Sequence, residues 1–426
     1  MITPIHLFQA VGVELEHAIV DTSTLRVRPI ADQLLKAAAA LPGAVGDEED
    51  SPGWPGSVTL GEVTWSNELA LHVIEFKTSD PARSFDGLAD AFARHVAKAN
   101  ELLSPLGCML MPTGMHPTML PDRDFQVWPH GYSEVYEAFH RIFDCRGHGW
   151  SNLQSAHLNL PFHGDAADTD EFGRLHAALR VLLPILPALA ASSPLREGTP
   201  TGLMDTRLEV YRTNSARIPP ATGRVIPEPV YTRGAYEERI FAPIYDAYAP
   251  HDPGGVLRHE WANSRGCIAR FTRGTIEVRT LDVQECPAAD LAICAGVAGV
   301  TRAIIEGRLG DLGELRAWDV EPLHTILLDH IRDADKAVIA NTRYLHALGW
   351  RGGPTTSAEF WHHLIEQATP DLIAAPARVT LMAILDHGCL ARRITRALGP
   401  APGEGKIHEV YAELAACLGQ NRLFGV

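Results

Sequence analysis

Glutamates recur at alternate positions inside stretches that otherwise read as buried β-strand, and few architectures accommodate that pattern. In Val11-Gly-Val-Glu-Leu-Glu-His-Ala-Ile-Val, Glu14 and Glu16 stand two apart. Successive strand side chains point to opposite faces, so both carboxylates share one face while Val13 and Leu15 take the other. Three more segments break their apolar pattern in the same way. Glu75 interrupts Leu71-His-Val-Ile-Glu-Phe-Lys-Thr, with Glu68 just before it. His157 and Asn159 share a face in Ser155-Ala-His-Leu-Asn-Leu, and Glu277 and Arg279 share one in Gly274-Thr-Ile-Glu-Val-Arg.

One such segment alone reads as a solvent-facing strand of an amphipathic antiparallel sheet. Four together do not, because an ordinary exposed face mixes Thr, Lys and Ser, whereas this set is mostly Glu with one His, one Asn and one Arg. Clustered carboxylates repel and are driven toward protonation unless a cation joins them. Hard oxygen donors suit Mg²⁺ or Mn²⁺, which also bridge substrate phosphates. A single His among carboxylates is compatible with that, whereas a His-rich set would point to zinc. An Arg two residues from a metal-binding Glu is placed to grip a phosphoryl oxygen. Phosphoryl transfer is the chemistry these residues suit, with no Walker A sequence to hold the nucleotide.

Bulk properties narrow the class further. A net charge of −15 argues against a general nucleic-acid surface, which needs clustered Lys and Arg. No continuous apolar run approaches the roughly 18–20 residues that span a bilayer. The opening MITPIHLFQAVGVELEH has no basic stretch and meets Glu14 and Glu16 early, unlike a signal peptide. A cytoplasmic protein acting on small molecules is the expectation. Seven scattered cysteines without a CxxC pair read as buried, reduced thiols.

Strand-like segments occupy Phe8–Val20, Val58–Trp65, Ala70–Lys77, Cys108–Met111, Gln154–Phe162, Arg207–Arg212 and the candidate hairpin Cys267–Thr272/Gly274–Val283. Helical patterns cover Pro29–Leu41, Pro81–Leu103, Tyr132–Phe143 and Asp168–Ala191. The final third adds Ala288–Glu306, Pro322–Leu348, Ser357–Gln367, Ala375–Leu398 and Lys406–Leu418. Asp80-Pro81 and Ser357-Ala-Glu-Phe read as helix starts. The expected class is α+β: an antiparallel sheet of about six strands with helices on its outer face and a helical C-terminal third. Residues 1–426 read as one integrated domain, 8–285 forming the sheet and 286–426 the helical part. The long loops Gly43–Gly56, Ser193–Thr201, Thr213–Arg233 and Ala249–Arg265 suggest functional lids, the later ones carrying Arg217, Arg224 and Arg265.

These segments resemble the marks of the glutamate–cysteine ligase superfamily, in its bacterial type 2 carboxylate–amine ligase branch. Gly12-Val-Glu-Leu-Glu looks like the family's G-x-E-x-E, and Glu68 through Val73-Ile-Glu-Phe-Lys-Thr resembles its second acidic strand. Thr113-Gly-Met-His-Pro resembles its G-x-H-P loop, and Ala156-His-Leu-Asn-Leu its central strand. Ser192-Ser-Pro with the Gly198–Arg207 stretch, and Gly274–Asp282, are similar to two later motifs in the same order. The resemblance implies a glutamine-synthetase-like sheet curled into a funnel, ATP entering at one end and amino-acid substrates at the other. It implies Mg²⁺ held by Glu14, Glu16, Glu68, Glu75, His157 and Glu277, with Arg279 on the phosphates. It implies phosphorylation of a carboxylate followed by amine attack, and a homodimer as the expected assembly. Arg207, Arg217 and Arg265 become candidates for the substrate α-carboxylate or the acyl phosphate, and Asn159, Arg265 and Arg217 for the nucleotide. Ser155 stands where the branch often carries a first His, and Asp205 where Ser is common; both departures bear on the substrate. His116 either contacts substrate or caps the loop before Pro117. Two other readings compete: a catalytically silent nucleotide- or amino-acid-binding relative, and a metal-dependent hydrolase working without ATP.

Overall fold

A computed structural model describes residues 4–47, 51–164, 170–368 and 372–426. The first two residues of the helix expected from Asp168, and three residues of the loop Gly43–Gly56, lie outside the described residues.

Among the described residues, nine strands form one antiparallel sheet. In chain order they are β1 Gly12–Asp21, β2 Val45–Asp47, β3 Ser57–Leu60, β4 Val63–Asn67, β5 Val73–Thr78, β6 Cys108–Met111, β7 Ser155–Pro161, β8 Cys267–Arg270 and β9 Thr275–Asp282. Across the sheet the order is β8-β9-β7-β1-β5-β4-β3-β2. β5 takes one edge of β1, while β7 and β6 share the other, pairing with its first and second halves. Nine strands replace the expected six partly because Val58–Trp65 is a hairpin, folding back at Gly61 with φ 65°. The hairpin expected at Arg273-Gly274 is present, with Gly274 at φ 65°.

The principal helices are α1 Ala31–Ala39, α2 Leu88–Leu103, α3 Ser133–Phe143, α4 Glu171–Leu182, α5 Thr206–Asn214, α6 Pro287–Ile305, α7 Val320–Asp333, α8 Ser357–Gln367, α9 Ala375–His387, α10 Leu390–Leu398 and α11 Glu404–Gln420. The class is α+β, with a helical C-terminal region as expected. Arg207–Arg212, read as a strand, lies in α5. Asp205 caps this helix by accepting from the Leu208 N–H at 2.8 Å, which outweighs the alternation of Leu208 and Val210. Asp80-Pro81 does not start a helix: Ala82 bridges to Val11, whose N–H donates to Ala82 O at 2.7 Å, and α2 begins at Leu88. The Ser357 start is sealed by a capping box between Thr356 and Glu359. The helix expected over Ala375–Leu398 splits at Gly388, whose φ is 90°.

One strand face packs into the core. Val13, Leu15, Leu158, Ile276 and Val278 join Phe92 and Val96 of α2 and Ile293 and Val297 of α6 in a single apolar cluster. α6 is long and apolar enough by composition to cross a membrane, unlike anything expected from continuous apolar runs, but 89% of its apolar stretch is buried in the protein. All seven cysteines are buried and unbridged. The opposite face of the same strands is left to the polar residues.

Candidate active site

Strand register assembles the polar face. β1 and β7 set Glu14 opposite His157 and Gly12 opposite Asn159, and β9 sets Glu277 opposite Asn159. On the other edge of β1, Glu16 faces Glu75 and Glu14 faces Lys77, while β4 brings Ser66 opposite Glu75. Four sequence segments far apart in the chain thus contribute neighbouring side chains.

The contacts are close. His157 Nδ1 lies 2.8 Å from Glu14 Oε2 and its Nε2 lies 3.8 Å from Glu16 Oε1. Asn159 donates to the other Glu14 oxygen at 3.2 Å. Ser155 donates to Glu16 through its backbone N–H at 2.7 Å and its hydroxyl at 2.8 Å. Glu75 accepts from Ser66 and from Lys77, the latter at 2.7 Å. Glu277 is gripped by Arg270 at 2.9 Å and by Arg279.

Glu14, Glu16, Glu68, Glu75, His157, Arg207, Glu277 and Arg279 all line one cavity of about 560 Å³. A second cavity, about 670 Å³, opens at the far end of the same strands, is bordered by Asn159, and shares Glu14 and Arg273 with the first.

Charge is distributed unevenly. Burial pushes the Glu14 carboxyl up, but the His157 hydrogen bond and charge, with Lys77 and Arg273, win and hold it below its usual range. Glu277 is likewise held low against burial, chiefly by Arg279. Burial followed by the charges of Glu16 and Glu75 pushes Glu68 well above the carboxylate range. Burial raises Glu75 despite Lys77. His157 rises to about 9: burial opposes this, but Glu14, Glu16 and Glu277 outweigh it. Lys77 reaches about 12, carried past its burial cost by Glu75 and Glu14.

Two overlapping donor groups emerge. Glu14, His157 and Glu277 each offer a ligand atom within 4.8 Å of the others, as do Glu16, Glu75 and His157. Carboxylate oxygens with one imidazole suit Mg²⁺ or Mn²⁺, and divalent charge would relieve the crowding felt at Glu68 and Glu75. The residues present therefore fit such ions, although Glu68 lies outside both groups.

Arg207 sits beside this set without touching a carboxylate donor. It contacts Asp282 at 3.4 Å and donates to Arg279 O at 2.9 Å. Arg265 and Arg217 are not brought to the cavity. Arg265 is clamped by Glu228 at 2.6 and 2.7 Å and by Pro220 O. Arg217 donates to Ile142 O at 2.7 Å, and Arg224 pairs with Glu321, so these arginines staple the loops down. His116 is buried with Nε2 2.7 Å from Leu25 O, in a loop-fixing role. Lys77, Arg270, Arg273, Tyr136 and Tyr211 also line the cavity and were not singled out from sequence. Lys77 carried a readable signal, standing two residues after Glu75 on one strand.

Residues 10–413 match the sequence model of glutamate-cysteine ligase family 2. The chain belongs to that family. Membership makes it an ATP-dependent carboxylate–amine ligase. An uncharacterised protein of Archaeoglobus fulgidus is 37% identical over 297 residues, covering 70% of this chain and 75% of that one. A candidate glutamate–cysteine ligase of Rubrobacter xylanophilus is 28% identical over 201 residues, 47% of this chain and 48% of that relative. Among solved structures, glutamate–cysteine ligase from Francisella tularensis in complex with AMP has a TM-score of 0.56 at 11% identity. The match covers 96% of this chain and 88% of that one, and it establishes a shared fold.

Proposed function

We propose that this family member joins the side-chain carboxylate of a glutamate-like amino acid to an amine, using ATP and Mg²⁺ and passing through an acyl phosphate. The observation that carries the reading is the pair of donor groups sharing His157, flanked by Arg279 and Arg207 in one cavity.

Glu14, Glu16, Glu68, Glu75, His157 and Glu277 would hold the metal, with Mn²⁺ an acceptable substitute. Bound there, the cation would neutralise the carboxylate and phosphate oxygens that must come into contact. The second cavity, with Asn159 and Arg273 on its border, is assigned to the nucleotide. Arg279 is assigned to the transferring phosphoryl group and Glu277 to holding that guanidinium in place. Arg207 is assigned to the substrate carboxylate. In the first step a carboxylate oxygen attacks the γ-phosphorus, the bond to the β-phosphate oxygen breaks, and ADP leaves. In the second, the amine lone pair attacks the acyl carbon, the acyl C–O bond breaks, inorganic phosphate leaves, and the nitrogen sheds one proton to give the amide. Most of the work expected of the protein is positioning and charge neutralisation.

The test is to incubate pure protein with ATP, Mg²⁺ and mixtures of amino acids and amines, following ADP and new amide masses. Amine-dependent ADP release accompanied by an amide is expected. ADP release that no amine stimulates, or none at all, would overturn the reading.

A further inference from the structure

One half of the cavity has a different character from the metal-binding half. α3 presents Tyr136 and Phe139 on one side, the turn before β7 presents Trp150 and Leu153, α5 presents Tyr211, and the loop before β8 presents Trp261. The wall is built, not incidental. Phe139 packs on Trp150 at 5.0 Å and on Trp261 at 5.8 Å between ring centroids. The Trp150 indole donates to Asn214 O at 3.0 Å, and Asn214 returns a bond to Gly149 O at 2.8 Å. Asn67, beside Glu68, donates to the Tyr136 hydroxyl at 3.0 Å, and the Arg207 guanidinium lies 6.0 Å from the Tyr211 ring. The rings therefore bridge from the carboxylate side of the sheet to the arginine side. Tyr136, Phe139, Trp150, Leu153 and Trp261 stay only partly buried, so they turn apolar surface toward the cavity.

We infer that the amine acceptor is a primary amine carrying an aromatic or bulky apolar side chain, seated against this wall. The inference rests on the ligase reading and narrows it. A cavity of about 560 Å³ falls in the range that encloses a drug-sized ligand. A small polar amine would leave the rings against water, whereas an aryl or branched alkyl group covers them and removes that apolar surface from water. The charged end is also provided for. The rings of Tyr136 and Trp261 line the same cavity, and ring faces attract an ammonium. The nucleotide, entering through the second cavity past Glu14, is left the opposite end. The ammonium loses one proton to become the attacking nitrogen and a second when the amide forms. The overall balance is carboxylate, ammonium and ATP giving amide, ADP, phosphate and one proton.

The experiment compares phenethylamine and tyramine with ethylamine and cysteine, under saturating Mg·ATP and the acid that supports turnover. The aryl amines are expected to show kcat/KM at least about tenfold higher. Trp261→Ala, and separately Phe139→Leu, should raise KM for phenethylamine while KM for ATP stays put. A preference for ethylamine or cysteine overturns the inference and leaves the ligase reading standing. So does a rise in the KM for ATP, which would place adenine on the wall. If no amine turns over, phenethylamine binding to the Mg·ADP-loaded protein is measured by calorimetry. Binding that ethylamine lacks and Trp261→Ala abolishes supports the wall even as the ligase reading falls. Equal or absent binding overturns both. Far-UV circular dichroism checks that each variant is folded.

Discussion

Glu277 stands between two guanidinium groups, and its ionisation depends on them: Arg279 and Arg270 hold it below the usual carboxylate range against burial and Glu14. Glu277→Gln keeps the shape and removes the charge, so folding should survive. Turnover should fall by about 100-fold or more, and the Mg²⁺ concentration for half-activity should rise. Turnover at the wild-type rate would take Glu277 out of the metal site. His157 provides a pH test. Its folded value of about 9 exceeds the ordinary 6.5, so its contribution to stability is complete below pH 6.5 and lost as pH climbs through 9. In metal-free protein this is worth on the order of 3 kcal/mol. The Tm in EDTA should therefore decline across that window, and the decline should vanish in His157→Gln. Because a metal takes the neutral imidazole, Mg²⁺ affinity should climb over the same range. At this scale the strand-borne residues were legible, since Glu14, Glu16, His157 and Glu277 each interrupt an apolar strand at the period of two that strands follow. Lys77 obeys the same parity, but a lysine beside glutamates also suits a solvated surface. Arg265 and Arg217 lie away from the cavity because their partners, Glu228 and Ile142 O, are chosen by tertiary packing and leave no local mark.

The Thr113–Pro117 loop passes so close to the end of β9 that only glycine fits at its second position. A Cβ at Gly114 would lie 2.3 Å from Asp282 Cγ. Asp282 in turn accepts from Ser192 N–H at 2.9 Å and the Ser193 hydroxyl at 2.7 Å, and contacts Arg207. Gly114→Ala should therefore push Asp282 aside and carry Arg207 with it. The expected cost is about 3 kcal/mol, seen as a lowered Tm, with KM for the acid substrate rising more than KM for ATP. An unchanged Tm and KM would show that the loop yields without disturbing β9. Elements were read well where one local rule acted alone, as in α8 with its capping box or the β8–β9 hairpin. They were misread where two rules competed. α5 alternates like a strand at Leu208 and Val210, yet the Asp205 cap decides for helix. Arg207, Tyr211 and Asn214, spaced as on one helix face, all reach the cavity.

The sheet and the helical region share one apolar cluster, in which α6 lies against β1 and β7 as well as α2, α4 and α9. A buried ion pair reinforces the join. Arg393 of α10 bonds Glu285, just past β9, at 2.5 Å and donates to Phe424 O at 2.6 Å, while Phe424 N–H donates to Glu285 at 3.2 Å. Burying these charges is tolerable only while they are paired. Sequence pattern announced both parts but not this joint, because residues 285, 393 and 424 carry no shared periodicity. The consequence is that residues 8–285 and 286–426 should unfold as one unit. Far-UV circular dichroism and tryptophan fluorescence should report the same transition, and Arg393→Met should shift both by about 4 kcal/mol, since Glu285 is left buried without an opposite charge. Adding Glu285→Leu to Arg393→Met should recover part of that loss, because the pair's desolvation cost goes with it. A chain cut after residue 285 should be insoluble, having lost the helix that covers the apolar face of its sheet. Two separated transitions, or a soluble and folded 4–285 piece, would mean that the sheet holds its polar face without the helical part.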